Sequence, residues 1–208
     1  KKLSAAVRKH ADRSLGTGTT VRFWPDDTIL EELDFDRRTL GGRFRMTSFL
    51  IPASIALIDR RGKKIERYKY LGKHKSYTGL AGLVSYLNNE RSSLGAMRTP
   101  LILEGKFELE QKKGSPPETV LVSVGLQYTD DPGGETVSCC NTIMTRLGGT
   151  HVSGARQAFT AALNQWGQTR KRLKNAKIEG ADADFGQTLA VSVLVPEPQV
   201  TSQTKDEL

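Results

Sequence analysis

Few residues in this chain stand where side-chain chemistry could begin. Its three histidines, His10, His74 and His151, are scattered, and none has a ligating partner four residues further on. Cys139 and Cys140 are neighbours. In an extended segment adjacent side chains point to opposite faces, which disfavours a mutual disulfide, and the spacing of a zinc site is missing. They read as free thiols, one buried and one half-buried, in a reducing compartment. Asp182 and Asp184 in "GADADFG" have the form of a metal pair. No side chain is expected to serve as a general acid or base. The last residues, "SQTKDEL", raise a different question, because a terminal Lys-Asp-Glu-Leu spells a retrieval signal of the endoplasmic reticulum.

The charge balance points to polyanions. Lys and Arg number 31 against 23 acids, a formal charge of +8, and nucleic acid is the first partner to consider, a membrane surface the second. The longest apolar run, from Ser48 to Ile58, contains Pro52 and is too short to span a bilayer. No secretory leader is expected, since Lys1 to Arg13 is basic and polar.

The elements that position these residues follow from periodicity. "GTTVRFWPDD" alternates like a strand, with Trp24 in a core-like place, and Pro25 ends it. Asp34 or Asp36 can cap a helix towards Ser48, weakened by Gly41-Gly42. A hairpin turns at Arg61-Gly62, and Leu80, Leu83, Val84 and Leu87 mark an amphipathic helix. "PLILEGKFELE", "TVLVSVGLQYTD", "ETVSCCNTIMTR" and "TLAVSVLV" read as strands. After "LGGTH" a long helix runs to about Leu173, with Val152, Phe159, Leu163 and Trp166 as its buried stripe and Arg170-Lys171-Arg172 at its C-terminal end. The class is α+β in one domain.

Six strings, "GTTVRFWPD", "VSYLNNE", "VGLQYTDD", "NTIMTRLGGTH", "LAVSVLVPEPQ" and "SQTK", occur in one order. Together they resemble the transducer domain of the DNA gyrase B subunit and its topoisomerase IV counterpart, from residue 17 to 208, with residues 1–16 a basic extension. The resemblance implies a mixed four-stranded sheet with helices on one face and a left-handed βαβ crossover, an exception to the right-handed rule. It implies that Lys205 contacts the γ-phosphate of ATP, with catalytic effect, and that Gln203 holds the same end. A cationic donor there stabilises charge developing in transfer. The Asp-Glu-Leu that follows then continues the family sequence, and "KDEL" is where a fragment stops.

The same resemblance assigns Arg156 in "GGTHVSGAR" to a DNA-facing position, with Arg146 as a companion. Helical geometry puts Arg156 about 60° from the centre of the Phe159 stripe, at its border, where a snorkelling structural role is the alternative. Asp182 and Asp184 become part of a turn before the last strand, and His151 supports the start of the helix. The implied whole is an ATP-hydrolysing type IIA topoisomerase B subunit of the cytoplasm, coupling ATP and Mg to dimer closure and passage of double-stranded DNA. Its partners are its own N-terminal ATPase domain, a second copy and a gyrase A-type subunit, without a membrane. ATP and Mg are held mainly by that N-terminal domain, so the isolated chain is expected to be inactive. The alternative is a stand-alone nucleic-acid-binding module on the same fold. The chain departs from the family pattern at Gly41-Gly42, Pro52, Leu147, Asp184 and the unusually basic "GKHKSYTG".

Overall fold

A computed structural model describes residues 19, 21–91, 99–109, 116–199 and 207–208. Two compact units divide the chain, residues 1–37 and 38–208. In the described part of the first, Asp26 accepts hydrogen bonds from the backbone and hydroxyl of Thr28 at 2.9 and 2.6 Å, which hold its carboxyl below the ordinary range. Phe23 and Phe35 meet edge to face, 6.3 Å apart. The strand expected over "GTTVRFWPDD" is not formed among the described residues. Alternation prepares a strand, but only a ladder partner satisfies its backbone groups, and none is paired here. Trp24 is 76% exposed, so its core-like place in the pattern buries nothing in this unit.

Helix α1 (Arg37–Leu50) begins directly after Asp36, and all but its first residue belong to the second unit. Its two glycines do not interrupt it, and Gly41 is buried where a Cβ would lie 2.7 Å from the Tyr70 hydroxyl. The hairpin follows as predicted: β1 (Ile55–Asp59) pairs antiparallel with β2 (Glu66–Tyr70). A tight second hairpin, β3 (Lys73–His74) and β4 (Tyr77–Thr78), leads into α2 (Gly79–Arg91). The α2 stripe is the one the spacing predicts, with Leu83 and Val84 fully buried. Burying each such side chain contributes roughly 1.5–3 kcal/mol.

The main sheet contains β5 (Leu101–Leu109), β6 (Glu118–Tyr128), β7 (Glu135–Cys140), β8 (Ile143–Met144) and β9 (Gln187–Leu194), in the order β5-β6-β9-β7-β8. It is mixed: β7 and β9 are parallel, and the other pairs antiparallel. It has five strands, because the chain after Cys140 folds straight back and pairs Ile143 with Cys140. Between β7 and β9 run β8, helix α3 (Thr150–Thr169) and the single turn α4 (Gly180–Asp184).

The helices lie on both faces of the sheet, which corrects the one-face expectation. Register supplies the reason, since alternate residues of one strand face opposite sides. Ala190 and its ladder neighbour Val137 cluster with Phe49, Leu83, Val84 and Leu87, on the α2 side. Leu189, Val191, Val193 and Leu126 cluster with Ala155 and Phe159, on the α3 side. The same alternation buries both thiols, Cys139 and Cys140, where one was expected half-buried. Helix α3 ends at Thr169, short of Leu173, because Leu173 folds back over Gly167 and its amide donates to the Gly167 carbonyl. That reversal leaves Trp166 57% exposed instead of in the stripe.

Candidate functional site

The corner between β8 and α3 gathers the described residues that the sequence singles out. Gly148 and Gly149 have φ of 79° and 131°. Gly149, with ψ of −167°, lies in a region that only glycine enters readily. Its lack of a side chain also admits another stretch of backbone. A Cβ there would sit 2.1 Å from the carbonyl oxygen of Leu208. Leu208 donates its amide to Gly148 at 3.3 Å and accepts from the amide of Thr150 at 2.8 Å, while Glu207 bridges Gly148 in parallel. Leu208 itself packs on the Leu189–Val193 cluster. The last two residues are thus built into the fold, beneath the N-terminus of α3.

The other end of the same segment is fixed as firmly. Beyond β9, the side chain of Asn141 accepts from the Val195 amide at 2.9 Å and donates to the Val195 carbonyl at 2.7 Å. Asn141 can do so because it takes a left-handed conformation, φ 49°, in the turn after β7. Gln203 and Lys205 lie outside the described residues. Their described flanks are anchored to the β7–β8 turn on one side and to the start of α3 on the other.

Arg146 is exposed on the β8–α3 turn. Arg156 lies about a turn and a half into α3. Its guanidinium donates to the Thr136 hydroxyl of β7 at 2.9 Å and pairs with Asp184 of α4 at 3.5 Å. Both partners of the ion pair are partly exposed, so it is worth at most about 1 kcal/mol. Asp182 closes a capping box with Glu179 at the start of α4. Among the described residues no group of three or more His, Cys, Asp or Glu is placed to hold a metal. The Asp182 carboxylate accepts from the Glu179 amide at 2.9 Å, and the Asp184 carboxylate pairs with Arg156.

His151 supports the helix start, as expected, through contacts that sequence spacing does not announce. Its Nε2 meets the Thr145 hydroxyl at 3.1 Å, and that hydroxyl meets Ser138 at 2.6 Å. Burial pushes the imidazole below its ordinary pKa, and its buried Nδ1 has no partner among the described residues. A second missed network, Gln127–Asn88–Thr188, crosses from α2 to the sheet with links of 2.7 and 2.5 Å. The only advance signal of either was polar residues interrupting apolar runs.

The sequence profile of the family described as DNA gyrase B matches residues 79–208. The chain belongs to the DNA gyrase B family. It is 36% identical over 211 residues to the DNA gyrase B protein of Chitinophaga japonensis, covering 97% of this chain and 42% of that protein. With the DNA gyrase B protein of Haloferax volcanii it shares 33% over 196 residues, 92% of this chain and 28% of that protein. The solved 43K ATPase domain of Thermus thermophilus gyrase B, in complex with an aminocoumarin, superposes with a TM-score of 0.61 at 27% identity. That superposition covers 84% of this chain and 44% of the solved one. The chain thus spans less than half the length of these relatives. The DNA gyrase B match runs from α2 to Leu208, so Arg146, Arg156, Gln203 and Lys205 all fall inside it. No helix among the described residues is long and apolar enough to cross a membrane.

Proposed function

We propose that the chain is the transducer part, residues 17–208, of the ATPase region of a type IIA DNA topoisomerase B subunit. It couples ATP state to dimer closure and duplex passage in the cytoplasm. The fold reading carries with it a left-handed crossover from β7 through α3 to β9. In this proposal Lys205 and Gln203 reach a nucleotide held, with Mg, by the parent protein's own N-terminal domain. A second copy and a gyrase A-type subunit complete the enzyme.

The donor set fits that role in part. A lysine ammonium and a glutamine amide are both donors suited to terminal phosphate oxygens. Bound ATP supplies the phosphoryl group. Lys205 then places a positive charge where negative charge develops, and Gln203 orients the same end.

One observation carries the coupling: the segment bearing Gln203 and Lys205 is fixed at Val195 to the β7–β8 turn and at Leu208 to the first turn of α3. A pull on that segment acts on the sheet and on the helix that bears Arg156. The test is Lys205→Ala in the full-length protein, measured by steady-state hydrolysis and nucleotide binding. Losing one preorganised donor is expected to cost roughly 3–4 kcal/mol of transition-state stabilisation, with a smaller loss of affinity. Wild-type turnover in that variant refutes the role.

A further inference from the structure

The most basic string in the chain, "GKHKSYTG", lies outside the corner at α3. Its geometry is set by one glycine. Gly72 has φ 59°, and a Cβ there would fall 1.9 Å from the Ser48 carbonyl oxygen. The Gly72 amide donates to the Ser48 hydroxyl at 3.0 Å, and Gly79 returns a bond to the Gly72 carbonyl at 3.2 Å. The β3–β4 hairpin is thereby clamped against the end of α1. Lys75 at its tip is left-handed, φ 53°.

This clamp opens a groove of about 370 Å³. Lys69 comes from β2, Lys73 and His74 from β3, Lys75 from the tip and Arg45 from α1, and no Asp or Glu lines it. Among the described residues Arg45, Lys69, Lys73 and Lys75 form no ion pair, and all four are exposed. Arg45 is also held in place. Its guanidinium carbon lies 5.7 Å from the Tyr70 ring and 5.1 Å from the Tyr86 ring. Stacking on ring faces leaves the N–H edges of a guanidinium directed outwards. The Tyr86 ring is positioned in turn by His74 at 5.8 Å and Phe49 at 5.9 Å. Four converging cations with no local counter-charge repel one another, and an anion relieves that repulsion.

We infer that this groove binds backbone phosphates of duplex DNA, at a site separate from Arg146 and Arg156. Phosphates are favoured over bases because the groove presents donors and point charges, while the aromatic faces are occupied by Arg45. Only the identity of the polyanion rests on the DNA reading proposed above.

The test compares two triple variants of the 208-residue chain in anisotropy titrations of a labelled duplex over rising salt. The groove variant is Lys69→Gln, Lys73→Gln and Lys75→Asn, asparagine being chosen because it tolerates the left-handed tip. The matched variant, Lys106→Gln, Lys174→Gln and Lys177→Gln, removes the same charge from exposed positions outside the groove. Each lost phosphate contact lowers the slope of log K against log salt by about 0.9. The expected drop is about 2–3 for the groove variant and well under about 1 for the matched one. Equal drops in the two variants overturn the site, leaving net charge as the cause. A groove variant that loses competition by inorganic tripolyphosphate but keeps duplex binding overturns the duplex assignment. Absence of duplex binding by the unsubstituted chain, even at low salt, overturns both this site and the DNA partner. Binding abolished by Arg156→Gln but untouched by the groove variant overturns this site alone.

Discussion

Replacing Gly149 with alanine tests whether the corner at α3 holds the end of the chain. The new methyl group would meet the Leu208 carbonyl oxygen at 2.1 Å and the Leu208 amide at 2.7 Å, both backbone atoms with no side-chain freedom to yield. It would also occupy φ 131°, ψ −167°, at a strain of roughly 1–3 kcal/mol. Leu208 must leave, and with it go the bonds to the Gly148 carbonyl and from the Thr150 amide. At about 1 kcal/mol each, those two bonds amount to about 2 kcal/mol, or roughly thirtyfold in a local opening equilibrium. The Thr150 amide then becomes an unpartnered donor at a helix N-terminus. Amide hydrogen exchange reads this directly: Thr150 should exchange at least about 30 times faster, with the centre of β9 at Val191 unchanged. Gly154→Ala is the control, because nothing lies within 4 Å of its Cβ and it sits inside α3. That variant should stabilise the chain by about 0.5–1 kcal/mol and leave Thr150 protected. Unaltered exchange at Thr150 in the Gly149 variant refutes the anchor.

Both thiols should resist alkylation in the folded chain and react fully after unfolding without reductant, since both are buried and burial raises the pKa of Cys139; recovery of neither thiol on unfolding contradicts the free state. His151 has its folded pKa depressed by burial, so the unfolded state takes up the proton first as pH falls. Its contribution should be complete above about pH 6.5 and decline below it, and denaturant titrations of His151→Gln between mildly acidic and neutral pH should show a flatter profile than the unsubstituted chain. Asp184→Asn should free Arg156 from its ion pair, steepening the salt dependence of duplex binding by up to about 1; an unchanged slope removes Arg156 from the phosphate contacts.

The elements legible in the sequence are those whose signal is local. Leu80, Leu83, Val84 and Leu87 share a helix face whatever lies opposite, and they form the stripe of α2. The strand-forming strings carry enough β-branched and apolar residues to be found, and their order follows from pairing that no single segment encodes. Trp24 and Trp166 show where periodicity stops informing. Each has the spacing of a buried residue, but burial needs a surface to pack against, and Gly167 and Leu173 turn the chain away before Trp166 finds one. The faces of the sheet were hidden for a related reason: β9 is buried on both sides, so its near-continuous apolar run does not say which side a helix covers.

Contacts at long range were the least legible, and they bear most on the candidate sites. Arg156 and Asp184 are remote in sequence, and only the parallel return of β9 beside β7 brings α4 against α3. The structure gives the acid at position 184 a consequence. A carboxylate beside Arg156 offsets the charge that a phosphate would meet, whereas Arg146 stands exposed on its turn. The family resemblance ranked Arg156 above Arg146. In the structure the Arg156 side chain joins β7, α3 and α4 through Thr136 and Asp184. The basic groove at Lys69–Lys75 has no such neighbouring acid. On the DNA reading proposed above, a duplex should feel the unpaired charge of the groove more strongly than that of Arg156, which Asp184 offsets.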